Sequence, residues 1–66
     1  MKFKERLKEL RTLKGLSQMQ LARAVGISQS AIAKWELGKT EPTATAIVLL
    51  ATFFGETTDY LLGLTD

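Results

Sequence analysis

The chain has 66 residues, nine of them lysine or arginine and seven aspartate or glutamate, with no cysteine, no histidine and a formal net charge of +2. The absence of thiols excludes a disulfide framework and a thiolate metal site, and the absence of imidazole removes the commonest metal ligand and general base, so no catalytic, metal or cofactor site is expected. A single domain over residues 1–66 is predicted, of modest stability because so short a chain buries only roughly 60% of its unfolded surface. No apolar run approaches the roughly 18 residues of a membrane span or the core of a signal peptide, so a cytoplasmic location and no membrane contact are expected.

Charge is unevenly placed along the chain. All nine cations (Lys2, Lys4, Arg6, Lys8, Arg11, Lys14, Arg23, Lys34, Lys39) lie within residues 1–39, accompanied by Glu5, Glu9 and Glu36. Residues 40–66 carry Glu41, Glu56, Asp59 and Asp66 and no cation. Such an asymmetry suggests a basic face for a polyanion and an acidic remainder turned away from it; the alternative is ordinary solvated charge.

No segment alternates with period two, and the fold class is all-α with five short helices. The first runs over roughly residues 3–14, with Phe3, Leu7 and Leu10 on its apolar stripe, Arg11 beside Leu7, and Lys4, Glu5, Lys8 and Glu9 facing water, until Gly15 ends it. Ser17 caps the second helix with Gln20 completing a capping box, and Leu21, Ala22 and Val25 form its buried stripe before Gly26. Ser28 caps a third helix from Gln29 to about Leu37, closed by Gly38. Pro42 and Thr43 open the fourth, whose stripe is Ile47, Leu50, Ala51 and Phe54, and Gly55 ends it. Thr57 caps a last helix that docks Tyr60 with Leu61 or Leu62, before Gly63.

Only Gly26 and Ile27 separate the second helix from the cap of the third, which forces a tight corner. At about 100° per residue, Gln29, Ser30, Ala33, Lys34 and Leu37 share one face of the third helix, Ala31, Ile32 and Trp35 form its apolar back, and Glu36 sits at the border. The front offers an amide, a hydroxyl and one ammonium. A glutamine can pair with adenine in two hydrogen bonds, a lysine can donate to guanine and a serine can serve either, so Gln29 and Lys34 are candidate readers of base edges. Taken singly, Gln29 is also a good first-turn residue and Lys34 a solvated charge; the corner favours the joint reading.

The run Leu16 to Pro42, LSQMQLARAVGISQSAIAKWELGKTEP, resembles the Cro/C1-type helix-turn-helix family, with the motif at about 17–37. Leu7, Leu10 and Arg11 before it, and Leu50, Ala51, Gly55 and the ending Asp59-Tyr60-Leu61-Leu62-Gly63 after it, extend the likeness to nearly the whole chain. The resemblance implies a lambda-repressor-like domain and a sequence-specific regulator of transcription, a repressor on a two-fold site in double-stranded DNA, bound as a homodimer with half-sites about one helical turn apart. It implies that Ser28, Gln29, Ser30, Ala33 and Lys34 face bases. Arg11, Ser17, Gln18, Lys39 and Thr40 would lie at phosphates, and Arg11 would pair with Glu36. Trp35 would pack between helices, with a backbone contact through its indole N–H as the functional addition.

Glu56 and Leu49 depart from the family pattern, the first where a small apolar residue is usual and the second where a polar one is. Leu49, Phe53 and Leu64, with Leu13 and Val48, exceed what one small core needs, and are candidates for a dimer interface or for crowded packing within the chain. Alternatives to the repressor reading are an antitoxin or restriction-controller autoregulator and a protein-interaction module on the same fold. The domain is also compatible with being a fragment of a longer regulator whose effector domain follows Asp66. No small-molecule site is evident.

Overall fold

The computed structural model describes residues 2–65, which form five helices: α1 Phe3–Leu13, α2 Gln18–Val25, α3 Gln29–Glu36, α4 Ala44–Phe54 and α5 Thr58–Leu62. Four of the five begin at a hydroxyl residue in extended conformation whose side chain accepts the N–H three positions on: Ser17 from Gln20, Ser28 from Ala31, Thr43 from Ala46 and Thr57 from Tyr60. Each satisfies an N–H that the helix itself leaves without a partner. At α2 the capping is reciprocal, since the Ser17 N–H also donates to Gln20 Oε1 at 2.8 Å.

α1 begins differently. Lys2 offers no side-chain cap; its N–H instead donates to the Leu62 carbonyl at the end of α5, at 3.2 Å. Arg6 reinforces that seam, donating from Nη1 to the Tyr60 carbonyl at 2.9 Å while its guanidinium lies 4.0 Å from the centroid of the Tyr60 ring. The first and last helices are thereby tied together.

Each helix contributes one branched aliphatic side chain of zero exposure: Leu7, Leu21, Ile32, Leu50 and Leu61. Burying each of these contributes about 1.5–3 kcal/mol, so no helix can leave without exposing a full core residue. Phe3, Ala22, Trp35, Ala46 and Ala51 complete the core, and Phe3 meets Trp35 edge to face with ring centroids 6.0 Å apart. α2 packs on α3, α1 against both α3 and α5, and α4 against α2 and α5.

The expected elements and their order match, with three differences. α1 and α3 stop one residue earlier, Lys14 and Leu37 being their C-caps. On α4, Ala46 rather than Ile47 and Phe54 joins Leu50 and Ala51 in the fully buried set, while Ile47 and Phe54 are half-buried at its edge. α4 is apolar on almost every side, so periodicity could not say which side turns inward; contact with α2 and α5 decides it. Leu10 and Val25 are likewise half-buried, and of the two final leucines Leu61 is the sealed one.

Candidate nucleic-acid interface

The site is built on the corner between α2 and α3. Val25 and Gln29 are separated by Gly26, Ile27 and Ser28 alone. Gly26 turns the chain at φ 72°, a left-handed conformation that costs an L-residue about 1–2 kcal/mol. Its N–H and that of Ile27 both donate to the Ala22 carbonyl, at 2.9 and 3.1 Å, closing α2 in a single turn. Buried Ala22 and Ile32 lie on the two helices that meet at this corner.

α3 is anchored on its back by Ile32 and Trp35, the latter 7% exposed, with Ala31 half-buried beside them. On the other side Ser30, Lys34 and Leu37 are exposed and Gln29 and Ala33 half-buried, while Ser28, the cap, is exposed at the head of the helix. Four of the five residues expected to face bases, Gln29, Ser30, Ala33 and Lys34, therefore share one accessible side of α3, with Ser28 at its N-terminal end. Ser28 already uses its hydroxyl oxygen as the helix cap, which leaves its O–H as a donor.

A chain of polar side chains runs behind this face. Arg11 of α1 donates from Nε to Glu36 Oε2 at 2.7 Å and from Nη2 to Oε1 at 2.8 Å, and from Nη1 to the Leu16 carbonyl at 2.8 Å. Glu36 also accepts from Gln18 Nε2 at 3.1 Å, and Gln18 Oε1 in turn accepts from Gln29 Nε2 at 3.0 Å. The pair is nearly sealed, with side-chain exposures of 12% for Arg11 and 5% for Glu36. Burial pushes the Glu36 carboxyl up, but hydrogen bonds from Arg11 and Gln18 and the positive charges of Arg11 and Lys8 outweigh it and hold the carboxyl below its ordinary value. The hydrogen bond to Glu36 raises Arg11 further above its usual range, against the opposing effect of burial.

Gln29 is oriented by these bonds. Donating one Nε2 hydrogen to Gln18 fixes the plane of the Gln29 amide and leaves its oxygen and second hydrogen unused, the pair that adenine's N6 and N7 require. Gln18 keeps a single N–H. The expected phosphate-side residues thus divide: Arg11, Gln18 and Ser17 cluster at the start of α2, and Lys39 and Thr40 lie exposed in the loop beyond α3.

The expected pairing of Arg11 with Glu36 is present, and Trp35 packs as expected. The hydrogen bond between Gln18 and Gln29, eleven positions apart, was not legible from either residue alone. Lys4 and Lys8, assigned to the water-facing side of α1, are exposed but lean toward α3: Lys8 acts on Glu36, and the Lys4 stem runs past Gly38. Their spacing with Arg11 at i, i+4 and i+7 was the available signal.

Two short helices locked at a three-residue corner, the second with an apolar back and an open polar front, define a helix-turn-helix domain. The profile of the Helix-turn-helix family matches residues 7–61, and the chain belongs to that family in its Cro/C1-type form. It is 45% identical over 62 residues to the HTH-type transcriptional activator BcrR of Enterococcus faecalis, covering 94% of this chain and 30% of that protein. It is 43% identical over 60 residues to the SPbeta prophage-derived HTH-type transcriptional regulator YonR of Bacillus subtilis, covering 91% of this chain and 56% of that one. Among solved structures it is similar to the restriction-modification controller protein C.AhdI of Aeromonas hydrophila, with a TM-score of 0.82, 40% identity and 91% of both chains covered. The chain thus spans about half or less of the curated relatives named, but nearly all of the controller protein. No helix among the described residues is long and apolar enough to cross a membrane.

Proposed function

We propose that the protein is a sequence-specific double-stranded DNA-binding regulator of transcription that places α3 in the major groove. The observation that carries this is the hydrogen-bond chain from Arg11 through Glu36 and Gln18 to Gln29, which holds a base-reading amide rigid at the head of an exposed helix face. Ser28, Ser30, Ala33 and Lys34 complete the base-facing set, while Arg11, Ser17, Gln18, Lys39 and Thr40 hold phosphates on either side. Occupying a promoter in this way represses by exclusion.

A homodimer on a two-fold operator supplies the second reading helix. Its interface is the apolar surface left uncovered by the core: Leu13, Val48, Leu49 and Leu64 are exposed, and Phe53 is half-buried beneath the Lys14 ammonium, 5.3 Å from its ring centroid.

A second reading, a controller that represses its own operon, is favoured by the near end-to-end match with C.AhdI. Both readings are tested by selection from a randomised duplex library at near-physiological salt. Enrichment of a pseudo-palindrome bound about a thousandfold above bulk DNA supports a specific dimeric regulator, and its presence upstream of the protein's own coding region selects the controller. Absence of binding refutes both and leaves a protein-interaction module.

A further inference from the structure

The accessible side of α3 is polar at Gln29, Ser30 and Lys34, yet it ends on a leucine. Leu37 is 65% exposed. Its backbone keeps a right-handed helical conformation, at φ −87° and ψ −8°, and its N–H donates to the Ala33 carbonyl at 3.1 Å. Leu37 therefore lies one turn beyond Ala33, about 40° round the helix from it and about 20° from Ser30, on the same side. The turn that follows pins it there: the N–H of Gly38 donates to the Trp35 carbonyl at 3.0 Å and that of Lys39 to the Lys34 carbonyl at 2.9 Å.

A single exposed leucine is ordinary on a protein surface. The position of this one is what gives it a meaning. The other large apolar side chains exposed among the described residues are Leu13 on α1, Met19 on α2, Val48 and Leu49 on α4, and Leu64 after α5. Leu37 alone stands on the face that α3 turns to the major groove under the DNA-binding reading, and a helix seated in that groove covers whatever its front carries. Covering a leucine against phosphates, or against the donors and acceptors of base edges, strips those groups of water and returns no hydrogen bond. The apolar group that base pairs present in the major groove is the 5-methyl of thymine. Ala33, half-buried one turn earlier, has its Cβ about 5–6 Å from that of Leu37, so the two form a short apolar strip beside the polar front.

We infer that Leu37 is a specificity-determining residue that packs on the 5-methyl group of a thymine, with Ala33 flanking the contact. The inference rests on the DNA-binding reading and deepens it, adding an apolar contact at the C-terminal end of α3 to the hydrogen-bonding amide at its head. Eight residues at about 1.5 Å each set Leu37 about 12 Å along the helix axis from Gln29, and base pairs stack about 3.4 Å apart. The thymine accordingly lies within about four base pairs of the pair that Gln29 reads.

The test uses the full chain and its selected operator duplex, in which each thymidine of a half-site is replaced in turn by deoxyuridine, a change that removes the methyl and keeps every hydrogen-bonding group. One such replacement within that window is expected to weaken wild-type binding about fourfold, the worth of covering one apolar carbon. Leu37→Ala should bind the unmodified duplex several-fold more weakly and be indifferent to the same replacement. Its thermal midpoint should stay close to that of the wild type, because the side chain is exposed, and the slope of log K against log salt should not change, because no phosphate contact is lost. If no deoxyuridine in the window weakens wild-type binding, or if the window holds no thymine, the inference is overturned and the DNA-binding reading stands. It is equally overturned if Leu37→Ala remains as sensitive to deoxyuridine as the wild type, since the methyl is then read by another residue. Failure of the wild-type protein to enrich any duplex, seen before deoxyuridine is introduced, overturns the DNA-binding reading itself.

Discussion

Arg11 grips Glu36 with two parallel hydrogen bonds, at 2.7 and 2.8 Å, across the boundary between the first helix and the third. The geometry is the fork of a guanidinium matched to both oxygens of a carboxylate, in a setting nearly closed to water. Since Gln18 hangs from the same carboxylate and Gln29 from Gln18, one ion pair fixes a seam of the fold and the orientation of the Gln29 amide.

Removing one member leaves the other's charge buried and unpaired. Arg11→Met is therefore expected to destabilise the domain by about 3 kcal/mol, measured by urea unfolding. Glu36→Gln, which keeps the shape and one acceptor, should cost less. A change within about 0.5 kcal/mol in both would mean that water reaches the pair and screens it.

The same carboxyl sets a pH dependence. Glu36 is held below its ordinary value in the folded protein, so the unfolded chain takes up the proton first. The pair's contribution is fully present above the unfolded value of about 4.3 and is lost as pH falls from there through the depressed folded value. Thermal midpoints should fall through that acidic window in the wild-type protein and less steeply in Glu36→Gln. Parallel profiles would remove Glu36 as the source.

Gln29→Ala is expected to cost about 1–3 kcal/mol on the selected operator and to relax preference at one or two base pairs. Gln18→Ala should broaden preference at the same base pairs, because it frees the Gln29 amide to rotate. If Gln18→Ala weakens all sequences equally, Gln18 serves a phosphate and does not position Gln29.

Placing a charge on the uncovered face of α4 tests the dimer. Leu49→Asp is expected to shift the protein to monomer in sedimentation experiments and to weaken full-site binding far more than half-site binding. Leu49 is 42% exposed, so the domain's own stability should change by only about 0.5 kcal/mol. An unchanged sedimentation coefficient would assign that surface to something other than self-association.

Helix boundaries were legible because their signals are local: a hydroxyl at Ser17, Ser28, Thr43 or Thr57 and a left-handed glycine at Gly26, Gly55 or Gly63 act within one turn. The front of α3 was legible because one helix has one period. What the sequence concealed depends on contacts between distant residues. The inward side of α4 is decided by neighbours rather than by its own uniformly apolar pattern, so Ala46 was missed. The grip of Arg6 on Tyr60 spans 54 positions. The Gln18–Gln29 link exists only because the corner brings two amides to 3.0 Å, a distance that no spacing rule encodes.

The hydrogen bond from Lys2 to Leu62, with the Arg6 guanidinium clasping the Tyr60 carbonyl and ring, brings the two described ends of the polypeptide side by side. A few flexible residues joining residue 65 to residue 2 would close the backbone into a ring with little distortion of any helix. Such a circle restricts the unfolded chain and leaves the folded one almost untouched, so it should melt at a higher temperature than the linear protein.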